Sequence, residues 1–191
     1  MSKSKKNVID PTQIIEMYGA DTARWFMLSD SPPERDLEWT DSGIGGSFKF
    51  INKIWRLLNE VVSTDKSKYS NLNNDNINKQ LNNAIMKITN NIESFHFNKS
   101  IANVYELIND IQKIIDKKSA SKECLLVFFK KLSLLLQPFT PHLSEEIWKK
   151  LNCSGLAINQ NWPSTFRDLE TKFCKTAIQI NGKTRKILEL K

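Results

Sequence analysis

From Ser47 through Gln137 the chain contains neither glycine nor proline, although seven of its twelve Gly and Pro residues fall within the first 46 positions. Ninety-one residues without a breaker predict helices, because those two residue types carry the largest penalties in a helix interior. Phe48, Ile51, Trp55, Leu58 and Val62 recur at three- and four-residue steps and predict a long amphipathic helix. Ile77, Leu81, Ala84, Ile85, Ile88 and Ile92 predict a second, with Asp75 as its N-cap. Asn98 is placed to cap a third, whose stripe is Ile101, Val104, Tyr105, Ile108, Ile111 and Ile115. The fourth, Leu125 to Leu136, is apolar nearly all round, as befits a central element, and Pro138 and Pro141 end it. A shorter fifth helix runs from Pro141 or His142 to about Leu151. The chain of 191 residues is therefore read as mainly α, an antiparallel helical bundle.

The ends differ from this middle. Asp10 is expected to cap a helix from Pro11 to Tyr18, stopped at Gly19, with a second from Ala20 to about Leu28 before Ser31-Pro32-Pro33. At the other end Ala177, Ile178 and Ile180, then Asn181-Gly182, then Ile187, Leu188 and Leu190 predict a short C-terminal β-hairpin. An isolated hairpin is marginal alone, so it reads as the first piece of a further domain. The expected divisions are residues 1–46, an N-terminal helical linker; 47–152, the bundle; and 153–191, a second linker with the hairpin.

Several classes of function are excluded or disfavoured. The longest unbroken apolar run, Leu125 to Phe129, is far short of the roughly 20 residues of a membrane span. The basic start, Lys3 to Lys6, is not followed by the apolar stretch of a secretory signal. Cys124, Cys153 and Cys174 include no CxxC pair, and His96 and His142 have no neighbouring ligand, so neither a disulfide framework nor a metal site is expected. A reducing, cytoplasmic setting follows. The net charge of +7 is unevenly spread: residues 1–46 carry 5 basic and 8 acidic side chains, residues 47–137 carry 14 and 8. That balance favours a polyanionic partner for the later segments.

The N-terminal strip Met1-Ser2-Lys3-Ser4-Lys5-Lys6-Asn7 offers hydroxyls and ammonium groups suited to phosphate oxygens. It is followed by Val8-Ile9-Asp10-Pro11, Tyr18-Gly19-Ala20-Asp21-Thr22-Ala23-Arg24 and Ser31-Pro32-Pro33-Glu34-Arg35-Asp36-Leu37-Glu38-Trp39. In this text the chain resembles the class I aminoacyl-tRNA synthetases. Met1 to Ser4 looks like the last four residues of their KMSKS loop, and Pro138-Phe139-Thr140-Pro141-His142-Leu143-Ser144-Glu145-Glu146-Ile147-Trp148 looks like a signature of their helical anticodon-binding domain. Within that family, Ser31 to Trp39, Phe95-His96-Phe97-Asn98 and Ile178 to Arg185 are most similar to the bacterial leucyl subclass, and less to the valyl, isoleucyl and methionyl ones. Two departures stand out: the leading Lys of the loop is absent and Lys6 stands where many relatives have Gly. The HIGH signature and nucleotide fold that activation needs are not found either.

The resemblance implies a part of a leucine–tRNA ligase whose partners are tRNA-Leu and, through an upstream catalytic half, leucine and ATP with Mg2+. It assigns Met1, Ser2, Lys3, Ser4 and Lys5 to the ATP-binding loop and makes Lys3 the catalytic residue, a mobile ammonium for the departing pyrophosphate. Candidate tRNA contacts are Arg24, Lys49, Lys53, Arg56, Lys130, Lys131, Lys183 and Arg185. For Asp21 and Arg24 a surface ion pair competes with tRNA docking. Trp55, Phe128, Phe129 and Trp148 are expected in the core, and His142 and Glu145 at the start of the fifth helix. The isolated chain is expected to be a monomer inactive in leucine activation. The competing reading is a free-standing RNA-binding or scaffold bundle of the same descent.

Overall fold

The side chain of Asp10 accepts a hydrogen bond from the Thr12 amide at 2.9 Å and opens α1 (Pro11–Tyr18) in the computed structural model. The structure describes residues 9–165, 174–180 and 183–190. Gly19 (φ 83°) turns the chain into α2 (Ala20–Asp30), so the expected linker helices are present as read. Next come α3 (Asp41–Ser63), α4 (Asn74–Glu93), α5 (Phe97–Asp116), α6 (Lys122–Leu136) and α7 (Pro141–Lys150). The protein is mainly helical, and α3 to α7 match the five helices expected from periodicity.

Three boundaries move, each for a local reason. α3 begins at Asp41, capped by the Thr40 hydroxyl on the Gly43 amide, and crosses the expected division between residues 46 and 47 without a break. Its first turns contain Gly43, Gly45 and Gly46, yet Ile44 among them is fully buried, and that burial outweighs the weak helix preference of glycine. The N-cap position of α4 is Asn73, two residues before the expected Asp75, which lies in the first turn. α5 starts after His96 and not after Asn98, whose side chain accepts from the Lys99 amide instead.

The core is one cluster that draws on α2 through α7. Leu57, Leu58 and Val61 of α3, Ile77, Leu81 and Ile88 of α4, Val104, Ile108 and Ile111 of α5, and Phe128, Phe129 and Leu132 of α6 are fully buried within it. Phe128, Phe129 and Trp148 are buried as expected, whereas Trp55 is only partly so. The central aromatic is Trp25 of α2, with no exposed surface. It stacks on Phe50 (5.5 Å), meets Tyr105 and Phe139 edge-on, and donates its indole N–H to the Tyr105 hydroxyl at 3.1 Å. A smaller cluster, Ile14, Phe26 and Ile44 with Trp39 and Leu37, ties α1 and α2 to the start of α3.

Glycine-free turns have a consequence. α4 closes with Phe95 N–H on Ile92 O (3.0 Å) and His96 N–H on Asn91 O (2.7 Å), and the ends of α5 and α7 repeat this double bond around Lys118 and Asn152. Such turns put one residue in the left-handed region, where glycine is preferred. Here those residues are Phe95 (φ 58°), Lys118 (φ 48°) and Asn152 (φ 54°). For a residue with a Cβ that conformation costs about 1–2 kcal/mol. Beyond α7 the chain loops back: Trp148 donates to Ser154 O, Trp162 to the Thr89 hydroxyl at 2.8 Å, and Lys131 to Ser164 O. Cys174–Ile180 (β1) and Lys183–Leu190 (β2) are extended and paired antiparallel, Ala177 opposite Ile187, with a register shift at Ile178/Gln179. The expected turn residues Asn181 and Gly182 lie outside the described residues.

Candidate functional site

The stretch Pro138–Leu143 runs from the turn after α6 into the first turn of α7, and α2 grips it at both ends. Arg24 donates through Nε to Phe139 O (3.2 Å) and through Nη2 to Pro138 O (2.8 Å). Three residues earlier, the nearly buried Asp21 accepts from the His142 amide (3.3 Å) and the Leu143 amide (2.6 Å), with His142 Nδ1 at 3.0 Å from the same carboxylate. Those amides occupy the second and third positions of α7, whose own N-cap, Thr140, makes no side-chain bond. Asp21 thus performs, from another helix, the capping that a Ser or Asp before the helix performs locally, and its charge faces the positive end of the α7 dipole. Of the two readings weighed for Asp21 and Arg24, the mutual ion pair is replaced by this two-handed clamp.

His142 and Glu145 separate in role. His142 belongs to the clamp, while Glu145 accepts from Gln137 Nε2 (2.9 Å), the Ala157 amide (2.8 Å) and the Ile158 amide (2.9 Å). Its carboxylate therefore organises the 3-10 turn Ala157–Asn159, beyond α7, more than the start of its own helix.

The cationic candidates fall into three environments. Lys49, Lys53 and Arg56 follow one another at four and three residues and share a flank of α3. Lys49 and Arg56 are exposed, and Lys53 is drawn onto α5 by a 2.8 Å hydrogen bond to Asn109 Oδ1. Lys130 is exposed, with its ammonium 5.3 Å from the centre of the Trp148 ring, a cation–π contact. Lys131, beside it, donates to Ser164 O at 2.7 Å, and burial pushes its pKa below the ordinary lysine value. Arg24 is engaged in the clamp. In β2, Lys183 stands opposite Ile180, and Arg185 is the residue left without a register partner at the bulge. Met1, Ser2, Lys3, Ser4 and Lys5 lie outside the described residues.

Two features were not expected. Between α1, α2 and the strand-like chain before α3 lies an apolar cleft of about 350 Å3, walled by Ile9, Ile14, Ile15, Met27, Leu37 and Trp39. Ile15 and Met27 on its rim are half exposed (48% and 57%). The second is Phe95, in a strained turn and 65% exposed. A phenylalanine directly after a helical pattern and before a second cap was the only signal for it. Among the described residues no group of three or more His, Cys, Asp or Glu side chains is placed to hold a metal ion, and no helix is long and apolar enough to cross a membrane.

Residues 74–191 match the family described as the anticodon-binding domain of tRNA ligase, and residues 1–40 match the class I tRNA synthetases for isoleucine, leucine, methionine and valine. Among similar curated proteins, the leucine–tRNA ligase of Rhizorhabdus wittichii is 43% identical over 189 residues, covering 98% of this chain and 21% of that protein. The leucine–tRNA ligase of Ruegeria pomeroyi is 41% identical over 186 residues, covering 97% and 21%. The chain thus spans about a fifth of the length of these relatives. A crystal structure of a ternary complex of an Agrobacterium radiobacter LeuRS with tRNA and LeuAMS superposes with a TM-score of 0.83 at 30% identity, over 100% of this chain and 25% of that one. With the family match extending over more than half of its residues, this chain belongs to the anticodon-binding domain family of the tRNA ligases, with a class I synthetase segment at its N-terminal end.

Proposed function

We propose that this chain is the tRNA-binding helical part of a leucine–tRNA ligase, preceded by the end of the loop that assists leucine activation. The observation that carries this reading is the likeness to leucine–tRNA ligases over nearly the whole chain, in sequence and in backbone. In this reading residues 1–46 are the loop end and the stem-contact linker, 47–152 the bundle, and 153–191 the approach to a C-terminal domain that starts with the β1–β2 pair. The exposed cations Lys49 and Arg56 on α3, with Lys53 beside them, meet tRNA phosphates without reading bases. Lys130, Lys183 and Arg185 add to that field, whereas Arg24 and Lys131 serve mainly as internal clamps.

Leucine and ATP, with Mg2+, are bound by the larger part of the ligase that these relatives possess. Lys3 reaches the pyrophosphate as the leucine carboxylate attacks the α-phosphate, strengthening its contact as negative charge develops. Every wall residue of the apolar cleft falls within the stretch that matches the class I synthetases, so the cleft is the seat of that larger part. The complex works in the cytoplasm, with one copy of the chain per ligase.

Binding of tRNA-Leu at two ionic strengths tests the first part. Neutralising several phosphates gives a log–log salt slope of several units, and a slope near zero rejects the reading. The second part is tested by leucyl-adenylate formation in a full-length leucine–tRNA ligase that carries this segment. There Lys3→Ala is expected to lower kcat by about 10²–10³, as loss of one oriented transition-state donor does, with the KM for leucine little changed. The chain alone is expected to show no leucine-dependent ATP–pyrophosphate exchange.

A further inference from the structure

Phe95 combines two unfavourable features for a folded protein: its backbone sits in the left-handed region (φ 58°), and its ring remains 65% exposed. A bulky side chain at positive φ is an outlier that the surroundings must enforce, and here no core burial compensates for it. The ring is also held in place. Phe97 meets it edge-to-face, with centroids 5.9 Å apart and planes at 81°. The hydrogen bonds around the turn fix the backbone beneath it.

The neighbourhood is mixed but contains cations on both flanks. Lys99 is exposed in the first turn of α5 and Lys87 is exposed on α4, with Glu93 exposed between Lys87 and the turn. Lys87 lines the α4–α5 groove together with Asn103, Glu106 and Asp110. An exposed aromatic held on a fixed turn, with an exposed lysine on each of the two helices that the turn joins and on a segment with 14 basic and 8 acidic residues, fits a flat π-system carried on a polyanion.

We propose that Phe95 is a stacking platform for an unpaired RNA base, with Lys87 and Lys99 receiving the flanking phosphates. This rests on the tRNA-binding reading and extends it to a specific contact at the α4–α5 turn. The test uses the 191-residue chain with tRNA-Leu, a single-stranded RNA dodecamer of mixed sequence, and a fully paired duplex of equal length. Phe95→Gly suits the backbone of the turn, so its thermal midpoint is expected to equal or exceed that of the wild type. Its affinity for tRNA-Leu and for the single strand is expected to fall roughly five- to 150-fold, the loss of one base–aromatic stack, with duplex affinity unchanged. Phe95→Tyr keeps a ring and is expected to bind like the wild type.

Unchanged single-strand affinity in Phe95→Gly overturns the proposal, as does an equal loss on duplex, or a lowered midpoint that marks the ring as a packing group. If the wild type binds the single strand through Phe95 but does not bind tRNA-Leu, the platform stands and the tRNA reading fails. If it binds neither, both fail.

Discussion

Replacing Asp21 with Ala is expected to be among the most damaging single polar changes in this chain. The carboxylate accepts the Leu143 amide at 2.6 Å and the His142 amide at 3.3 Å, and Asp21 and Leu143 are each only 8% exposed. Loss of a helix cap costs about 1 kcal/mol, and a buried donor left without a partner costs about 1–3 kcal/mol. The lost attraction between the carboxylate and the α7 dipole adds up to about 2 kcal/mol in partly buried geometry. These contributions overlap, and a total of about 3 kcal/mol is expected, lowering the melting temperature by roughly 6–12 °C for a chain of this length. Asp21→Asn keeps one acceptor oxygen where the carboxylate offers two, so it loses the charge and one of the two amide bonds and is expected to forfeit about 2 kcal/mol. Urea unfolding of both variants at equal m-value provides the measurement. A loss below about 0.5 kcal/mol for Asp21→Ala, the range of an ordinary surface change, would refute the clamp as the device that starts α7. Arg24→Ala acts on the other end of the same turn, and the double variant is expected to lose less than the sum of the two, by about 0.5 kcal/mol or more.

A Cβ at Gly43 would lie 2.5 Å from Phe26 Cε2 and 2.8 Å from Thr40 Oγ1, whereas one at Gly45 meets nothing within 4 Å. Thermal melts should therefore rank Gly43→Ala below the wild type by about 1–3 kcal/mol and Gly45→Ala above it by about 0.5–1 kcal/mol. At Lys118 (φ 48°), Gly relieves backbone strain while keeping the carbonyl that Ser70 bonds, and a gain of up to about 1 kcal/mol in denaturant titration is expected. Burial pushes the Cys124 thiol above its ordinary range and so lowers its thiolate fraction. Iodoacetamide labelling followed by mass spectrometry should be at least about tenfold slower in the folded chain than in urea, and equal rates would contradict the assigned burial.

The periodic stripes of α3 to α7 were legible in the sequence because each helix buries one face, and burial of a face imposes its 3.6-residue spacing on the residue order. Asp10, Pro11 and Gly19 were legible for a similar reason: caps and stops act on backbone groups within a few residues. The start of α3 was not, since local preference argues against a helix through three glycines, and what overrides it is Ile44 packing against Ile14 and Phe26 from other elements. The cap at Asn73 belongs to the same class. Asn74 exchanges hydrogen bonds with Ser121, 47 residues away, and thereby draws the helix start forward.

The partners of Asp21 and Arg24 show the limit most clearly. Spacing alone puts these residues three apart on one helix, the arrangement of a surface ion pair. The packing of Trp25 against Phe139 brings that helix face to the α6–α7 turn, where unpaired amides at the head of one helix take the Asp21 carboxylate and free carbonyls after the other take the Arg24 guanidinium. Where no local cap is present, the backbone groups at a helix end do not reveal their distant partner in the sequence, because every residue except proline supplies the same donor and acceptor, and the partner is settled by which surfaces the core brings together.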